Sequence, residues 1–295
     1  MLDVLIVGSG PAGLSAAIYT SRAGLSTIVA SGETKGGLLT TTEQIDNYLG
    51  MFDTKGIEMA DVFLEHAVKF GAKVNYAVVK EIHVNTEGVF ETVLDTGKGK
   101  RTIKSKSVIY AAGSTPRKLN VKGEELNGVS YCANCDGSFF ENEKVVIVGG
   151  GETAAEDALY LSNICETVEV LVRSNWRATE PAVHKLEEQD NINIRMGVNI
   201  QEIISENNKS VSGVVLDNGE SLDVSAVFVA VGQTPNSAEA ERHSKLYDDG
   251  FIECSNVEGF FVAGDVTDPN YRQVAIAVGD GAKAGIDATR YVLNN

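Results

Sequence analysis

The stretches VLIVGSGPAG at residues 4–13 and VVIVGGGETA at residues 145–154 are two copies of one pattern. In each copy, a β-branched apolar run is followed by glycines and then by a helix-like stretch. A strand that turns through GxGxxG or GxGxxA into a helix is the dinucleotide-binding fingerprint, in which the helix N-terminus holds a pyrophosphate. Glycine-rich turns without a ligand are the alternative for a single copy. Two copies in the same strand-to-helix context favour two nucleotide-binding sites.

Each position of the fingerprint has its own physical role. The first glycine makes the tight turn, the second lets the backbone approach a pyrophosphate, and the small third residue lets the helix pack closely on the strand. The candidate nucleotide-binding residues at the two helix starts are Gly8, Gly10, Pro11, Ala12, Gly13, Gly149, Gly151, Glu152, Thr153 and Ala154.

The pattern continues after each fingerprint with a second strand, STIVASG at 26–32 and VEVLVRS at 168–174. The expected fold class is therefore α/β, with two Rossmann-like dinucleotide-binding domains. Two further segments, YAAGSTPRKL at 110–119 and VAVGQTPNS at 229–237, share an apolar strand followed by Gly-x-Thr-Pro. We interpret these segments as two connections, so that the second domain is inserted into the first.

The composition argues against several classes of function. The chain has 295 residues and a formal net charge of −16. A surface this acidic repels nucleic acid phosphates and anionic lipids. No apolar run reaches the length of about 18 residues that spans a bilayer, and the N-terminus lacks the basic region of a signal peptide. Because the chain has only four cysteines, a cytoplasmic protein in a reducing compartment is expected.

A pair of cysteines lies in SYCANCDGSFF at residues 130–140. A zinc site needs about four clustered ligands, whereas Cys165 and Cys254 each stand alone and the histidines show no paired spacing. A purely structural bridge would close too short a loop to constrain the unfolded chain much. The pattern therefore favours redox chemistry at Cys132 and Cys135 and no metal site. Asp136 is either part of that chemistry or a turn residue before a glycine.

The double fingerprint, CANCDG at 132–137 and GDV at 264–266 resemble the low-molecular-weight thioredoxin reductases. The resemblance runs nearly end to end and includes GSGPAGLSAAIYTSRAGL, GGLLTTTEQIDNYLG, VVIVGGGETAAEDALYL and FVAGDVTDPNYRQVAIAVGDG. It implies a discontinuous FAD-binding domain, residues 1–113 and 240–295. Residues 114–239 would form a pyridine-nucleotide-binding domain that carries the CxxC pair. The resemblance also implies a homodimer.

The same resemblance implies the activity of a thioredoxin-disulfide reductase. Electrons would pass from NADPH through FAD and the Cys132–Cys135 pair to thioredoxin or a thioredoxin-like protein. Cys135 would face the flavin, Cys132 would attack the substrate disulfide, and Asp136 would donate and accept the proton. Because the cysteine pair and the nicotinamide must both reach one flavin, the inserted domain would rotate about its two connections.

The candidate flavin residues come partly from the fingerprint and partly from the resemblance. An acidic residue is expected about 20 positions after the glycines, where Ala30 and Ser31 are not acidic and Glu33 is the nearest acid. Leu38 stands where the family carries a glutamine, so a side-chain hydrogen bond near the flavin would be lost. Besides Glu33, the resemblance assigns the flavin site Gly36, Gly37, Leu38, Asn47, Gly264, Asp265, Arg272 and Gln273.

The sequence gives weaker evidence for the electron donor than for the flavin site. The stretch LVRSNWR at 171–177 keeps two of the three arginines with which the family holds the NADPH 2′-phosphate, Arg173 and Arg177. No acidic residue stands at this strand end, where an NAD site would bind the ribose, so NADPH is favoured over NADH. Three alternatives stay open: a ferredoxin-dependent flavin thioredoxin reductase that does not use NADPH, an oxygen-dependent flavin dithiol oxidase, and a non-enzymatic flavin redox sensor.

Overall fold

The structure is a computed structural model that describes residues 1–42, 44–268 and 270–295. The described chain divides into two compact units. Unit 1 comprises Met1–Thr115 and Thr234–Asn295, and unit 2 comprises Pro116–Gln233. Unit 2 is thus inserted into unit 1. The first division lies two residues after the expected position 113, and the second lies at 233 rather than 239, six residues earlier.

The earlier second division has a physical reason in the hydrogen bonds of Asn236 and Glu239. The buried hydroxyl of Tyr110 donates to the Asn236 carbonyl (2.7 Å) and to Glu239 Oε2 (3.1 Å). The Asn236 side chain in turn donates to the carbonyl of Ala112. These bonds tie the segment after residue 233 to unit 1. The two connections themselves pair as short strands, β7 (Ser114–Pro116) and β16 (Gln233–Pro235).

Unit 1 is built on a sheet in which parallel and antiparallel strands meet. Its strands are β1 (Leu2–Val7), β2 (Thr27–Ala30), β3 (Lys73–Asn75), β4 (Val78–Val84), β5 (Phe90–Asp95), β6 (Lys100–Tyr110) and β19 (Phe260–Val262). The order is β3-β2-β1-β6-β5-β4, and β19 also pairs with β6. Strands β1, β2, β3, β6 and β19 pair in parallel, whereas β4, β5 and β6 pair antiparallel. A separate ribbon joins β17 (Ser244–Leu246) and β18 (Ile252–Ser255).

The helices of unit 1 are α1 (Pro11–Arg22), α2 (Gly56–Lys69) and α6 (Val274–Asn294). Proline at the first position suits the start of α1, because its fixed φ is helical and its missing N–H would have no partner there. Helix α6 packs closely on α1: a Cβ placed on Gly281 would lie 2.0 Å from the carbonyl oxygen of Ala12. Short 3₁₀ helices span Gly37–Thr41 and Ala238–His243.

Unit 2 has a purely parallel main sheet. Its strands are β8 (Val129–Ser130), β9 (Lys144–Val148), β10 (Thr167–Val172), β11 (Ile192–Met196) and β15 (Ala226–Val229), in the order β11-β10-β9-β15-β8. An antiparallel sheet is formed by β12 (Ile200–Ile204), β13 (Gly213–Leu216) and β14 (Ser221–Leu222). The helices are α3 (Ala133–Asp136), α4 (Glu152–Ser162) and α5 (Glu180–Glu187), with a 3₁₀ turn at Gly137–Phe140.

The core strands explain why the two fingerprints were recognisable. Residues Val4–Val7 of β1 and Val145–Val148 of β9 are buried on both faces, as is typical of central parallel strands covered by helices. The expected α/β class with two Rossmann-like units is confirmed. Among the helices of the described residues, none combines the length and the apolar character that a membrane crossing requires.

Candidate functional site

The first glycine loop leads from β1 into α1. Gly8 has a φ of +98°, and a Cβ there would lie 2.2 Å from the carbonyl oxygen of Ala111. A Cβ on Gly13 would lie 2.0 Å from the Gly8 oxygen, so helix and loop could not approach as they do. At Gly10, by contrast, the nearest atom to such a Cβ is 4.0 Å away. The loop thus leaves open space in front of the N–H groups of α1, whose first turn carries no acidic residue, and this cradle fits a pyrophosphate.

The start of α1 is also met by segments from elsewhere in unit 1. A Cβ on Gly37 would lie 3.3 Å from the Gly10 Cα, and one on Gly264 would lie 2.8 Å from the Ala12 Cβ. Pro11 is the first residue of the helix. The GG turn and the Gly-Asp segment, which were expected at one flavin site, therefore lie against the first glycine loop.

Ser9 holds this arrangement together and was not expected from the sequence. Its buried hydroxyl donates to the Ser31 carbonyl (3.3 Å) and accepts the Gly36 N–H (3.2 Å). It therefore links the glycine loop to the end of β2 and to the GG turn. Glu33 lies just beyond that strand end and is exposed, as is Leu38.

Asp265 is a half-buried acid of unit 1. Burial raises its pKa to about 6, although the charge of Arg272 acts in the opposite direction. A half-buried carboxyl of this kind suits hydroxyl groups, which can donate hydrogen bonds to it. Nearby in sequence, Gln273 precedes α6 and accepts a hydrogen bond from the Asn47 side chain at 3.1 Å. Two candidate flavin residues 226 positions apart are thus brought into contact.

The second glycine loop leads from β9 into α4. A Cβ on Gly149 would lie 2.4 Å from the Ala230 carbonyl oxygen, while one on Gly151 would meet nothing within 4 Å. Thr153 follows in the first turn of α4. Ala154 at the third position is fully buried. The space at Gly151 is open as it is at Gly10. The first turn of α4 carries an acid, Glu152, but its carboxylate is bonded to Thr179, so this cradle also fits a dinucleotide pyrophosphate.

The loop that carries the two arginines is attached to this glycine loop. The backbone N–H of Arg177 donates to the Gly150 carbonyl at 2.6 Å, and that of Ala178 does so at 3.2 Å. The carboxylate of Glu152 accepts the backbone N–H and the hydroxyl of Thr179, at 2.8 and 3.1 Å. Arg173 and Arg177 are exposed. Glu152 thus contacts the arginine loop, a role that its place in the fingerprint did not indicate.

The cysteine pair forms a disulfide in which Cys132 and Cys135 have their Cα atoms 5.3 Å apart. Both residues are half-buried. The backbone N–H groups of Cys135 and Asp136 donate to the Cys132 carbonyl and close a single helical turn. Within the described part of the chain, no three His, Cys, Asp or Glu side chains converge as metal ligands.

Ser130 is a second site residue that the sequence did not mark. Its hydroxyl lies 2.6 Å from Asp136 Oδ2 and accepts the Cys132 N–H at 3.1 Å. A serine two residues before a CxxC pair is not distinctive in a sequence. Its hydrogen-bond partner depends on the path of the turn that follows, which the sequence does not show. The remaining cysteines lie apart from the pair: Cys254 is exposed, and burial raises the pKa of Cys165 to about 11.

Helix α4 separates the two functional regions of unit 2. The glycine loop lies at its N-terminus, whereas the turn after Asp136 packs near its other end. A Cβ on Gly137 would lie 3.0 Å from side-chain atoms of Tyr160 and of Leu161. Eight residues from Glu152 to Tyr160 correspond to about 12 Å of helix. Disulfide and nucleotide cradle are therefore distinct regions of one unit.

Comparison with known proteins places this geometry in a family. Residues 2–281 match the pyridine nucleotide-disulphide oxidoreductase family. The thioredoxin reductase of Bacillus subtilis is 36% identical over 98% of this chain and 94% of that protein. The glucosaminate ammonia-lyase of Pseudomonas fluorescens is equally similar, 36% over 98% of this chain and 95% of that protein. The crystal structure of the Streptococcus pyogenes thioredoxin reductase superimposes with a TM-score of 0.91 at 32% identity, covering 100% of this chain and 99% of that one.

The family joins three components: a flavin, an NAD(P) nucleotide and a disulfide. The two glycine cradles and the Cys132–Cys135 disulfide provide for all three. Together with the match over nearly the whole length, they show that this chain is an oxidoreductase that belongs to the pyridine nucleotide-disulphide oxidoreductase family.

Proposed function

We propose that the chain is a thioredoxin reductase that uses NADPH and FAD. The observation that carries the proposal is the disulfide Cys132–Cys135, followed directly by Asp136, in the unit that also contains the second nucleotide cradle. Relatives with this printed activity match from end to end. Because an ammonia-lyase is equally similar, identity alone does not select the activity, and the proposal rests on the disulfide and the two nucleotide cradles as well.

Unit 1 is the proposed FAD-binding unit. Three features support this assignment: the cradle at Gly10, the half-buried acid Asp265, and the contact between Asn47 and Gln273. A bound flavin would supply two-electron transfer between the nicotinamide and the disulfide. The residues of the chain hold the pyrophosphate at α1 and offer Asp265 to the hydroxyl groups of the cofactor.

Unit 2 is the proposed NADPH-binding unit. The cradle at Gly151 is open, and the arginine loop is fixed beside it through Gly150 and Glu152. Exposed guanidinium groups at Arg173 and Arg177 suit a 2′-phosphate, which each can bind through charge-assisted hydrogen bonds. An intact second cradle is of no use to a ferredoxin-dependent enzyme or an oxygen-dependent oxidase, so neither alternative is favoured.

At the disulfide, the proposed chemistry is thiol–disulfide exchange. Cys135 receives the electrons from the flavin side, and the Cys132 thiolate attacks the disulfide of thioredoxin or a thioredoxin-like redoxin. Asp136 exchanges the proton. The half-buried position of both cysteines leaves room for a protein partner. A homodimer and a reducing cytoplasmic location, in which Cys165 and Cys254 stay free thiols, complete the proposal.

The test is an anaerobic titration of the purified yellow protein, with NADPH in one sample and NADH in another. We expect stoichiometric bleaching of the flavin band by NADPH and reduction of a thioredoxin disulfide when that substrate is added. Replacing both Arg173 and Arg177 by alanine should raise the KM for NADPH roughly 100-fold, about tenfold per lost charged contact. The matched control is Lys209→Ala, which removes an exposed cation from the β12–β13 turn.

Two results would contradict the proposal. If dithionite bleaches the flavin and neither nucleotide does, NADPH is not the donor, and ferredoxin becomes the donor to test. If NADPH bleaches the flavin but thioredoxin stays oxidised, the disulfide serves another substrate.

A further inference from the structure

Ser130 is held in place by a sheet rather than by a loop. It is the last residue of β8, and this strand pairs in parallel with β15 through Val129 with Val227 and Ser130 with Phe228. The side chain is buried, with 5% of its surface exposed. The position of its hydroxyl is therefore fixed independently of the turn that carries the disulfide.

Three groups of that turn lie within hydrogen-bond distance of the Ser130 hydroxyl. Asp136 Oδ2 is at 2.6 Å, the Cys132 N–H donates to the Ser130 Oγ at 3.1 Å, and the Cys132 carbonyl oxygen is at 3.3 Å. A serine hydroxyl can donate one hydrogen bond and accept two. When Asp136 is ionised, the three groups comprise one donor and two acceptors, and the two acceptors compete for the single serine hydrogen.

The protonation state of Asp136 decides where that hydrogen goes. When the carboxylate is ionised, Ser130 donates to it in a short, charge-assisted bond and accepts the Cys132 N–H. When the carboxyl is protonated, it can donate to Ser130, whose own hydrogen then turns to the Cys132 carbonyl. In both states the carboxyl keeps its partner, and only one hydroxyl hydrogen has rotated. An acid that gains and loses a proton in each cycle needs a partner that can hydrogen-bond to both of its protonation states, and the Ser130 hydroxyl can do so.

We propose that Ser130 is a positioning residue that holds Asp136 in both of its protonation states during disulfide reduction. The inference rests on the proposed function. Reduction breaks the S–S bond of Cys132–Cys135 and consumes two electrons, supplied by the reduced flavin, and two protons, one through Asp136 and one from solvent. Reoxidation by a partner disulfide passes both electrons to the partner, which becomes a dithiol, and reforms the S–S bond.

The experiment compares four single substitutions in the holoenzyme, and a fifth, Asp136→Asn, serves only to assign the infrared band. Ser130→Ala removes the hydroxyl, and Ser130→Thr keeps it. Ser130→Val has the shape of threonine without the hydroxyl, so the Thr/Val pair remains informative if the alanine variant does not fold. The control is Ser138→Ala, an exposed serine of the same motif. Two quantities are measured from pH 5 to 9: kcat for thioredoxin reduction, and the infrared band of the protonated Asp136 carboxyl, assigned with Asp136→Asn.

Ser130→Ala and Ser130→Val should lower kcat roughly 10- to 100-fold, because a hydrogen bond to a charged group is lost. In both variants the infrared titration of Asp136 should move to higher pH by roughly one unit, a tenfold change, because the ionised form loses its donor. Ser130→Thr and Ser138→Ala should resemble the wild type in both measurements. The initial rate of flavin reduction by NADPH should be unchanged in all four, since hydride transfer to the flavin precedes electron transfer to the disulfide.

An unchanged infrared titration in Ser130→Ala or Ser130→Val would overturn the proposal, even if kcat falls, because Ser130 would then be only structural. Equal behaviour of Ser130→Thr and Ser130→Val would overturn it as well, because the hydroxyl would be irrelevant. Failure of the proposed function has a different signature: the wild-type enzyme would not reduce thioredoxin, whereas the infrared titration would still report on Ser130.

Discussion

Strands β19 of unit 1 and β8 of unit 2 occupy the same place in their two parallel sheets. In unit 1 the parallel strands lie in the order β3-β2-β1-β6-β19, and in unit 2 in the order β11-β10-β9-β15-β8. After β19 the chain reaches Asp265 and then α6, which packs on α1. After β8 it reaches the disulfide and then a turn that packs on α4. One position in a shared topology thus leads to a candidate cofactor acid in one unit and to a redox pair in the other.

The contacts that pack these segments onto the neighbouring helix also differ between the two units. In unit 1 the backbones of α6 and α1 touch where Gly281 meets the Ala12 carbonyl. In unit 2 the atoms nearest to a Cβ on Gly137 belong to the side chains of Tyr160 and Leu161. A rigid backbone contact suits a cofactor that stays bound, and an adjustable side-chain contact suits a turn that carries chemistry. Matched substitutions in the two units should therefore have unequal effects, and the packing glycines should show the greatest difference.

The glycines Gly281 and Gly137 provide the most demanding test of this contrast. Gly281→Ala should lower the free energy of unfolding by about 3 kcal/mol and reduce flavin content, because the added carbon would lie 2.0 Å from a backbone oxygen. Gly137→Ala should change the free energy by less than about 1 kcal/mol, because side chains can move and its backbone is already helical. Denaturant unfolding followed by circular dichroism checks both. Equal losses would show that the two contacts are equally rigid.

Asp265 gives unit 1 a dependence on pH. Its folded pKa of about 6 lies above the ordinary value of 3.8, so folding favours the neutral carboxyl. Its stabilising contribution is complete below about pH 4 and is lost as the pH rises through 6. The flavin-free protein should lose about 2 kcal/mol from this group between pH 4 and pH 7, and Asp265→Asn should remove that loss. Denaturant midpoints at both pH values measure it. The same slope in wild type and variant would rule Asp265 out as its source.

Glu152 and Ser9 allow the two units to be compared in ligand binding. Glu152 contacts the proposed NADPH site, and Ser9 contacts the proposed FAD site. Glu152→Ala should raise the KM for NADPH roughly tenfold, because the arginine loop loses hydrogen bonds to a charged group, while flavin content stays normal. The measurement is steady-state kinetics with NADPH as the varied substrate. A normal KM would mean that the loop is held by the Gly150 carbonyl alone.

Ser9→Ala should have a smaller effect than Glu152→Ala, and the effect should fall on FAD binding rather than on NADPH binding. The loss of two neutral hydrogen bonds, to Ser31 and from Gly36, should weaken FAD binding roughly fivefold and leave the KM for NADPH unchanged. Reconstitution of the flavin-free protein with FAD, followed by fluorescence, gives the affinity. An altered KM for NADPH in this variant would show that Ser9 influences both units.

Features encoded by neighbouring residues were accessible from the sequence. The two strand–glycine–helix patterns, the cysteine pair and the inserted order all depend on local spacing. Strand β8 could not be predicted from the sequence, because two residues show no periodicity and they form a strand only by pairing with β15. The second unit boundary could not be predicted either, because it depends on contacts of Asn236 and Glu239 with Tyr110, more than 120 positions away. The bond between Ser130 and Asp136 depended likewise on a turn whose path is visible only in three dimensions.

The contact between α1 and α6 also has a consequence for synthesis on the ribosome. Helix α1 emerges before all of unit 2, yet Gly281 and Gly285, which cover Ala12 and Ala16, emerge only after it. All the main-sheet strands of unit 2 are complete by residue 229, so that unit can assemble while unit 1 still waits for β19 and α6. During this interval the apolar surface of α1 is uncovered, which is the condition in which nascent chains aggregate or recruit chaperones. The order of synthesis thus allows unit 2 to fold early and leaves unit 1 vulnerable until its last segments are made.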